Sequence, residues 1–159
     1  MDKSALIKSV IERLEAELAR QAEAALSSRA EATDGESRQE GRYDMRSQSA
    51  AYLAEGQSRL AAELAAAIQA WKGVPSRAFG PGEGIALGAL VTLEAAGKRA
   101  AYLVGPQAGG LEATDGAAAA LVVTPGSPLG RQLLGRRAGD TVAVSDGRRA
   151  VAHAVASVE

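Results

Sequence analysis

Residue types able to do chemistry concentrate in two stretches of this sequence. The first is the polar run Ala32-Thr33-Asp34-Gly35-Glu36-Ser37-Arg38-Gln39-Glu40-Gly41-Arg42-Tyr43-Asp44, which holds four carboxylates. Read from residue types alone, such acids solvate the end of a chain reversal. The second is Val123-Thr124-Pro125-Gly126-Ser127-Pro128-Leu129-Gly130-Arg131-Gln132-Leu133-Leu134-Gly135-Arg136-Arg137. Here Ser127 can cap a helix, Pro128 suits its first turn and Gly135 can end it. Leu129 and Leu133 would turn one apolar stripe to a core, leaving Arg131, Arg136 and Arg137 in water. A strand running into a rigid, basic surface loop makes a docking surface.

Other candidates carry less. His153 is the only histidine and there is no cysteine, so no imidazole or thiolate partner can join it in a metal site, and it reads as a packed or edge histidine. Gly80-Pro81-Gly82-Glu83-Gly84 lacks the Gly-Lys-Ser/Thr ending that cradles a nucleotide phosphate and reads as a turn. The formal net charge of −1 gives no basic footprint for gripping nucleic acid by its phosphates, which points to a protein partner. The absence of cysteine fits a reducing, cytoplasmic setting. No segment approaches the roughly 20 apolar residues needed to span a bilayer, so no membrane partner is expected.

These stretches need elements to hold them, and composition shifts along the chain. The first half is rich in Ala, Leu, Glu, Gln and Arg with no glycine or proline before Gly35, whereas the second holds most of the glycines and four prolines beyond Pro75. We read a helical part at 1–75 and a turn-rich β part at 76–159. In the first, a four-three spacing selects Ile7, Ile11, Leu14, Leu18, Gln21 and Ala25, then Ala50, Leu53, Gln57, Leu60, Leu64, Ala67 and Trp71. Folding the chain back about Gln39 sets Ile7 against Trp71, Leu14 against Leu64 and Gln21 against Gln57, where a hydrogen bond between the glutamines would fix the register. The expected structure is an antiparallel coiled-coil hairpin with a polar tip at which two glycines interrupt the helix. A helix from about Ser4 to about Asp34 extends about 45 Å.

The second half shows short apolar runs at Ala86–Leu93, Ala100–Val104, Ala118–Val123, Thr141–Val144 and Ala150–Val158. Glycine, proline or Asp-Gly turns such as Asp115-Gly116 and Asp146-Gly147 bound them. A small antiparallel sheet with the Ser127 helix on one face follows, giving an α+β fold.

The Ser127 stretch resembles the "SP(I/L)(A/G)xxL(L/I)GK" loop in the C-terminal domain of the Gre transcript-cleavage factors of bacterial RNA polymerase. The tip resembles that family's "G-D-L-(S/K)-E-N-A-E-Y" turn, with Glu36 in place of its aspartate, Glu40 for its glutamate and Tyr43 for its tyrosine. The resemblance implies an FKBP-like second domain and a chain that is no enzyme by itself. It implies that Ser127, Pro128, Leu129 and Arg131 meet the polymerase while the hairpin enters the secondary channel. Glu36 and Glu40, with Tyr43 auxiliary, would then help hold an Mg²⁺ shared with the polymerase and act indirectly on the nascent RNA 3′ end. Carboxylates are the hard oxygen donors that Mg²⁺ takes, and two-metal cleavage of a phosphodiester uses one ion for the water and one for the leaving oxygen. No metal is expected on the isolated chain, which is expected to be a monomer.

The tip departs from the pattern: Glu36 is a methylene longer than aspartate, and Glu40 follows it by four residues where the family pair is three apart. About 1 Å of misplacement can cost about a hundredfold in rate. This keeps a second reading, a Gre-homologous channel regulator without cleavage, beside the first. A structural coiled-coil adaptor is a third. Prolyl isomerase chemistry is disfavoured, since this half offers only Phe79 and Tyr102 to line an aromatic pocket.

Overall fold

The structure, a computed structural model, describes the backbone of residues 1–36, 43–145 and 149–159, and side chains over 1–27, 52–145 and 149–159. Two helices come first, α1 (Lys3–Glu36) and α2 (Tyr43–Lys72). The strands β1 (Leu90–Ala95), β2 (Lys98–Val104), β3 (Glu112–Thr114) and β4 (Ala119–Val123) follow. Then come the short helix α3 (Pro128–Leu133) and the strands β5 (Thr141–Ser145) and β6 (Ala150–Val158). The fold is α+β, an N-terminal helical hairpin and a small β domain with one short helix.

The chain divides into two compact units, Glu12–Ile68 and a second that joins Met1–Ile11 to Gln69–Glu159. The packing unit of the sheet thus takes in both helix ends, whereas the composition of the chain changes at residue 75.

In the sheet unit six strands lie in the order β3-β4-β2-β1-β6-β5. The hairpin from β1 to β2 turns at Ala96 and Gly97, both with positive φ, the backbone a two-residue turn needs to match strand twist. The sheet is mixed: β2 and β4 run parallel, because β3 occupies the connection between them and pairs antiparallel with β4 on the outer side. The wholly antiparallel expectation fails at that pair. Alternation sorts the side chains to two faces. On one, Val91, Leu93, Val104, Val123 and Val155 form a core with Phe79, Ile85 and Leu133. Leu90, Leu103 and Val122 alternate with them and are buried too.

The helix ends of this unit are tied in by named contacts. Trp71 is fully buried, and a Cβ on Gly105 would overlap its ring. The Asp2 amide donates to the Asp115 carboxylate at 2.9 Å, which holds the Asp115 carboxyl below its ordinary value together with the Ala118 and Ala117 amides. Lys3 is nearly buried, donates to the Arg77 carbonyl and lies with Arg77 over the Phe79 ring, at 4.9 and 4.5 Å. Desolvation, then the Arg77 charge, lowers the Lys3 pKa. The Gly80–Gly84 run is the expected turn, closed reciprocally by Glu83 N to Gly80 O and Gly80 N to Glu83 Oε2, both 3.0 Å.

Within Glu12–Ile68, Leu14, Ala67 and Ile68 are buried, and Leu18, Gln21, Ala25, Gln57, Ala61 and Leu64 are half-buried. That stripe corrects two expected seam positions. Leu53 and Leu60 are 62% and 40% exposed, although Gln57 and Leu64 on the same spacing are half-buried. The expected Gln21–Gln57 bond is replaced as well: Gln21 Nε2 donates to Glu17 Oε1 at 2.7 Å along its own helix, where a charged acceptor makes the stronger bond. Gly35 does not break α1, whose backbone stays helical to Glu36. One glycine costs about 1 kcal/mol, which a long helix absorbs.

Candidate functional site

The turn into α3 is built from its own side chains. Ser127 has extended backbone, φ −72 and ψ 156, and its Oγ accepts from Gly130 N at 3.0 Å, the geometry of a helix N-cap. The same hydroxyl donates to the Thr124 carbonyl at 2.8 Å, and the Ser127 amide donates to that carbonyl at 3.0 Å. Pro128 follows at the first helical position, where it forfeits no hydrogen bond. Gly130 is required here, since a Cβ would overlap the Thr124 carbonyl. Gly135, at φ +76, lies just past the helix, and its amide and the Ile85 carbonyl bond at 2.8 Å.

Leu133 is fully buried and Leu129 packs against the same core half-buried, as the four-residue spacing predicts. Arg131 and Pro128 are exposed. The Arg131 guanidinium is not free in water, however: its Nη1 donates to the Gly126 carbonyl at 2.5 Å and stiffens the loop. Ser127, Pro128 and Leu129 line a groove of about 570 Å³ together with Tyr102, Leu121 and Val144, and Arg131 stands outside that lining. Tyr102 is the one aromatic residue of the groove, and Phe79 belongs to the core.

Two members of the site were not singled out in the sequence. Leu121 is 43% exposed on the groove, and strand alternation with Val123 was its available signal. Gln132 donates from Nε2 to Ala143 O at 2.8 Å and accepts at Oε1 from Ala143 N at 2.9 Å. Nothing in the sequence marks that contact, which depends on how α3 meets β5. His153 lies on β6, between β1 and β5, half-buried and with Nδ1 3.0 Å from the Val151 carbonyl, the packed and not the edge alternative of the expectation.

At the other candidate site, Glu36 is the last residue of α1 and Tyr43 the first of α2. Glu40 lies outside the described residues, as do the side chains of Glu36 and Tyr43 and of the flanking Asp34 and Asp44. The Asp146-Gly147 turn lies outside them too. Among the described residues there is no group of three or more histidine or carboxylate side chains able to hold a metal ion, and no helix is long and apolar enough to cross a membrane.

No protein-family model matches the chain, and no curated protein matches it. Among solved structures, it is similar to the transcription factor Gfh1, with 24% identity over 96% of this chain and 94% of that one and a TM-score of 0.43. It is also similar to the GreA factor homolog 1 (Gfh1) protein of Thermus thermophilus, with 25% identity over 94% of each chain and a TM-score of 0.41. Thermus aquaticus Gfh1 is similar at 25% identity over 96% of this chain and 95% of that one, with a TM-score of 0.41.

Proposed function

We propose that this chain is a Gre-homologous transcription factor that binds bacterial RNA polymerase through the Ser127–Pro128 surface. The observation that carries this reading is the cap itself. Ser127, Pro128, Leu129, Gly130, Leu133 and Gly135, the positions that match the family loop, each perform a definable backbone or core task in α3. A surface fixed by its own hydrogen bonds loses little conformational freedom on binding, which favours affinity. Arg136 and Arg137 are exposed beside it and would speed association with an acidic patch.

In this proposal the hairpin enters the secondary channel and delivers Glu36 and Glu40 toward the RNA 3′ end. The chain is an accessory factor, and the polymerase performs the cleavage. Two carboxylates are a suitable donor set for Mg²⁺, and the ion would supply charge stabilisation at the scissile phosphate. The chain's own part is to carry the acids there and hold them.

A second reading, a channel regulator without cleavage, is favoured by one observation: helical backbone continues through Gly35 to Glu36, so that the first acid belongs to α1. Purified core polymerase separates the possibilities. Pull-down is expected with the wild type and is lost with Pro128→Asn. Stalled complexes are expected to yield shortened RNA, and Glu36→Ala with Glu40→Ala abolishes the shortening while binding persists. Binding without shortening selects the second reading. Absence of binding removes both.

A further inference from the structure

We propose that β5 is a latent pairing edge for a second copy of this chain, held shut by Gln132. In the sheet order β5 is terminal, with β6 on one side only. An edge strand presents backbone donors and acceptors to any other strand. At Ala143 both groups are taken by one side-chain amide, whose Nε2 and Oε1 reproduce the donor and acceptor pair of a neighbouring strand, at 2.8 and 2.9 Å. The opposite edge is treated alike, since Thr114 N on β3 donates to Ser9 Oγ at 2.9 Å.

The occupant that Gln132 displaces is identified by the sequence of β5. Thr141-Val142-Ala143-Val144-Ser145 reads nearly the same in both directions about Ala143. An antiparallel copy centred there sets Ala143 against Ala143 of the second copy, Val142 against Val144, and Thr141 against Ser145. A residue that opposes itself is the mark of a two-fold, isologous contact. The central pair would exchange two N–H···O bonds, the same number and polarity that Gln132 supplies. The strand is uncharged and free of proline and glycine, a composition that pairs readily. Because Gln132 is tethered beside β5, its effective concentration exceeds that of a free copy, and the intact chain stays closed.

The test uses the full chain and needs no polymerase. Gln132→Ala is expected to sediment as a species of twice the chain mass, with self-association strengthened about tenfold or more over the wild type for two lost competing bonds. In the absence of native cysteine, Ala143→Cys gives a clean reporter, because facing Cα atoms about 5.5 Å apart lie within disulfide range. Oxidation is expected to link that cysteine to its copy in the Gln132→Ala background and not with Gln132 present. Adding Ala143→Pro to Gln132→Ala removes the outward N–H and is expected to restore the monomer. A Gln132→Ala chain that stays monomeric overturns the proposal. So do equal cross-linking in both backgrounds, and association that survives Ala143→Pro, which would place the contact on another surface.

Discussion

The sheet unit and the hairpin unit Glu12–Ile68 are held by different means. In the first, large side chains such as Trp71, Leu6, Leu90 and Leu103 are fully buried, and glycines stand where a neighbour leaves no room for a Cβ, as at Gly105 and Gly130. In the second, buried positions are few and partly alanine, and Leu26, Tyr52 and Leu53 are each more than 60% exposed. One unit depends on shape complementarity. The other depends mainly on helix propensity and a narrow stripe, so it tolerates change where the first does not.

Substitutions test that contrast, in decreasing order of consequence. Trp71→Ala removes the largest fully buried side chain and is expected to lower the unfolding free energy by about 3–5 kcal/mol in a denaturant titration. Gly130→Ala sets a Cβ against the Thr124 carbonyl; a loss of about 2–3 kcal/mol is expected, with backbone shifts visible by NMR at Ser127 and Thr124. Ser127→Ala removes one cap bond and should cost about 1 kcal/mol in the same titration.

A smaller effect depends on pH. The Arg77 guanidinium, then the Gly80 amide, hold the Glu83 carboxyl at about 2, below its ordinary 4.5. Between those values the unfolded chain binds more protons than the folded one. The stabilisation is therefore complete above 4.5 and fades as pH falls toward about 2. Glu83→Gln should lower the melting temperature at neutral pH, with the difference from wild type closing at the acid end; since the pair is exposed at the surface, the difference is modest. At the bottom of the scale, Leu53→Ala in the hairpin is expected to change stability by less than about 0.5 kcal/mol. A loss above about 2 kcal/mol there would undo the contrast between the units.

Periodicity made most of the architecture readable. The run Ala150–Val158 is β6 to the residue, and the runs at Ala118–Val123 and Thr141–Val144 fall within a residue or so of β4 and β5. Strand β3 left no such trace, because three residues, Glu112-Ala113-Thr114, carry too little pattern. The parallel β2–β4 pair was equally hidden, since strand direction is decided by the connection. Leu53 and Leu60 were placed on the seam because a four-three spacing marks apolar positions without fixing how far each is covered. At the candidate site, cap, proline and glycine signals are local and could be read directly. Gln132 to Ala143 and Ser9 to Thr114 join distant segments, which no local pattern encodes.

The placement of β6 bears on how the sheet is assembled. It separates β1 from β5 in the sheet, and Glu159 exchanges backbone bonds with Leu90 at 3.0 and 2.9 Å. Without β6 nothing pairs β5 with the rest of the sheet. β5 therefore enters the sheet only by way of β6, whereas the pairings among β1, β2, β3 and β4 involve neither strand.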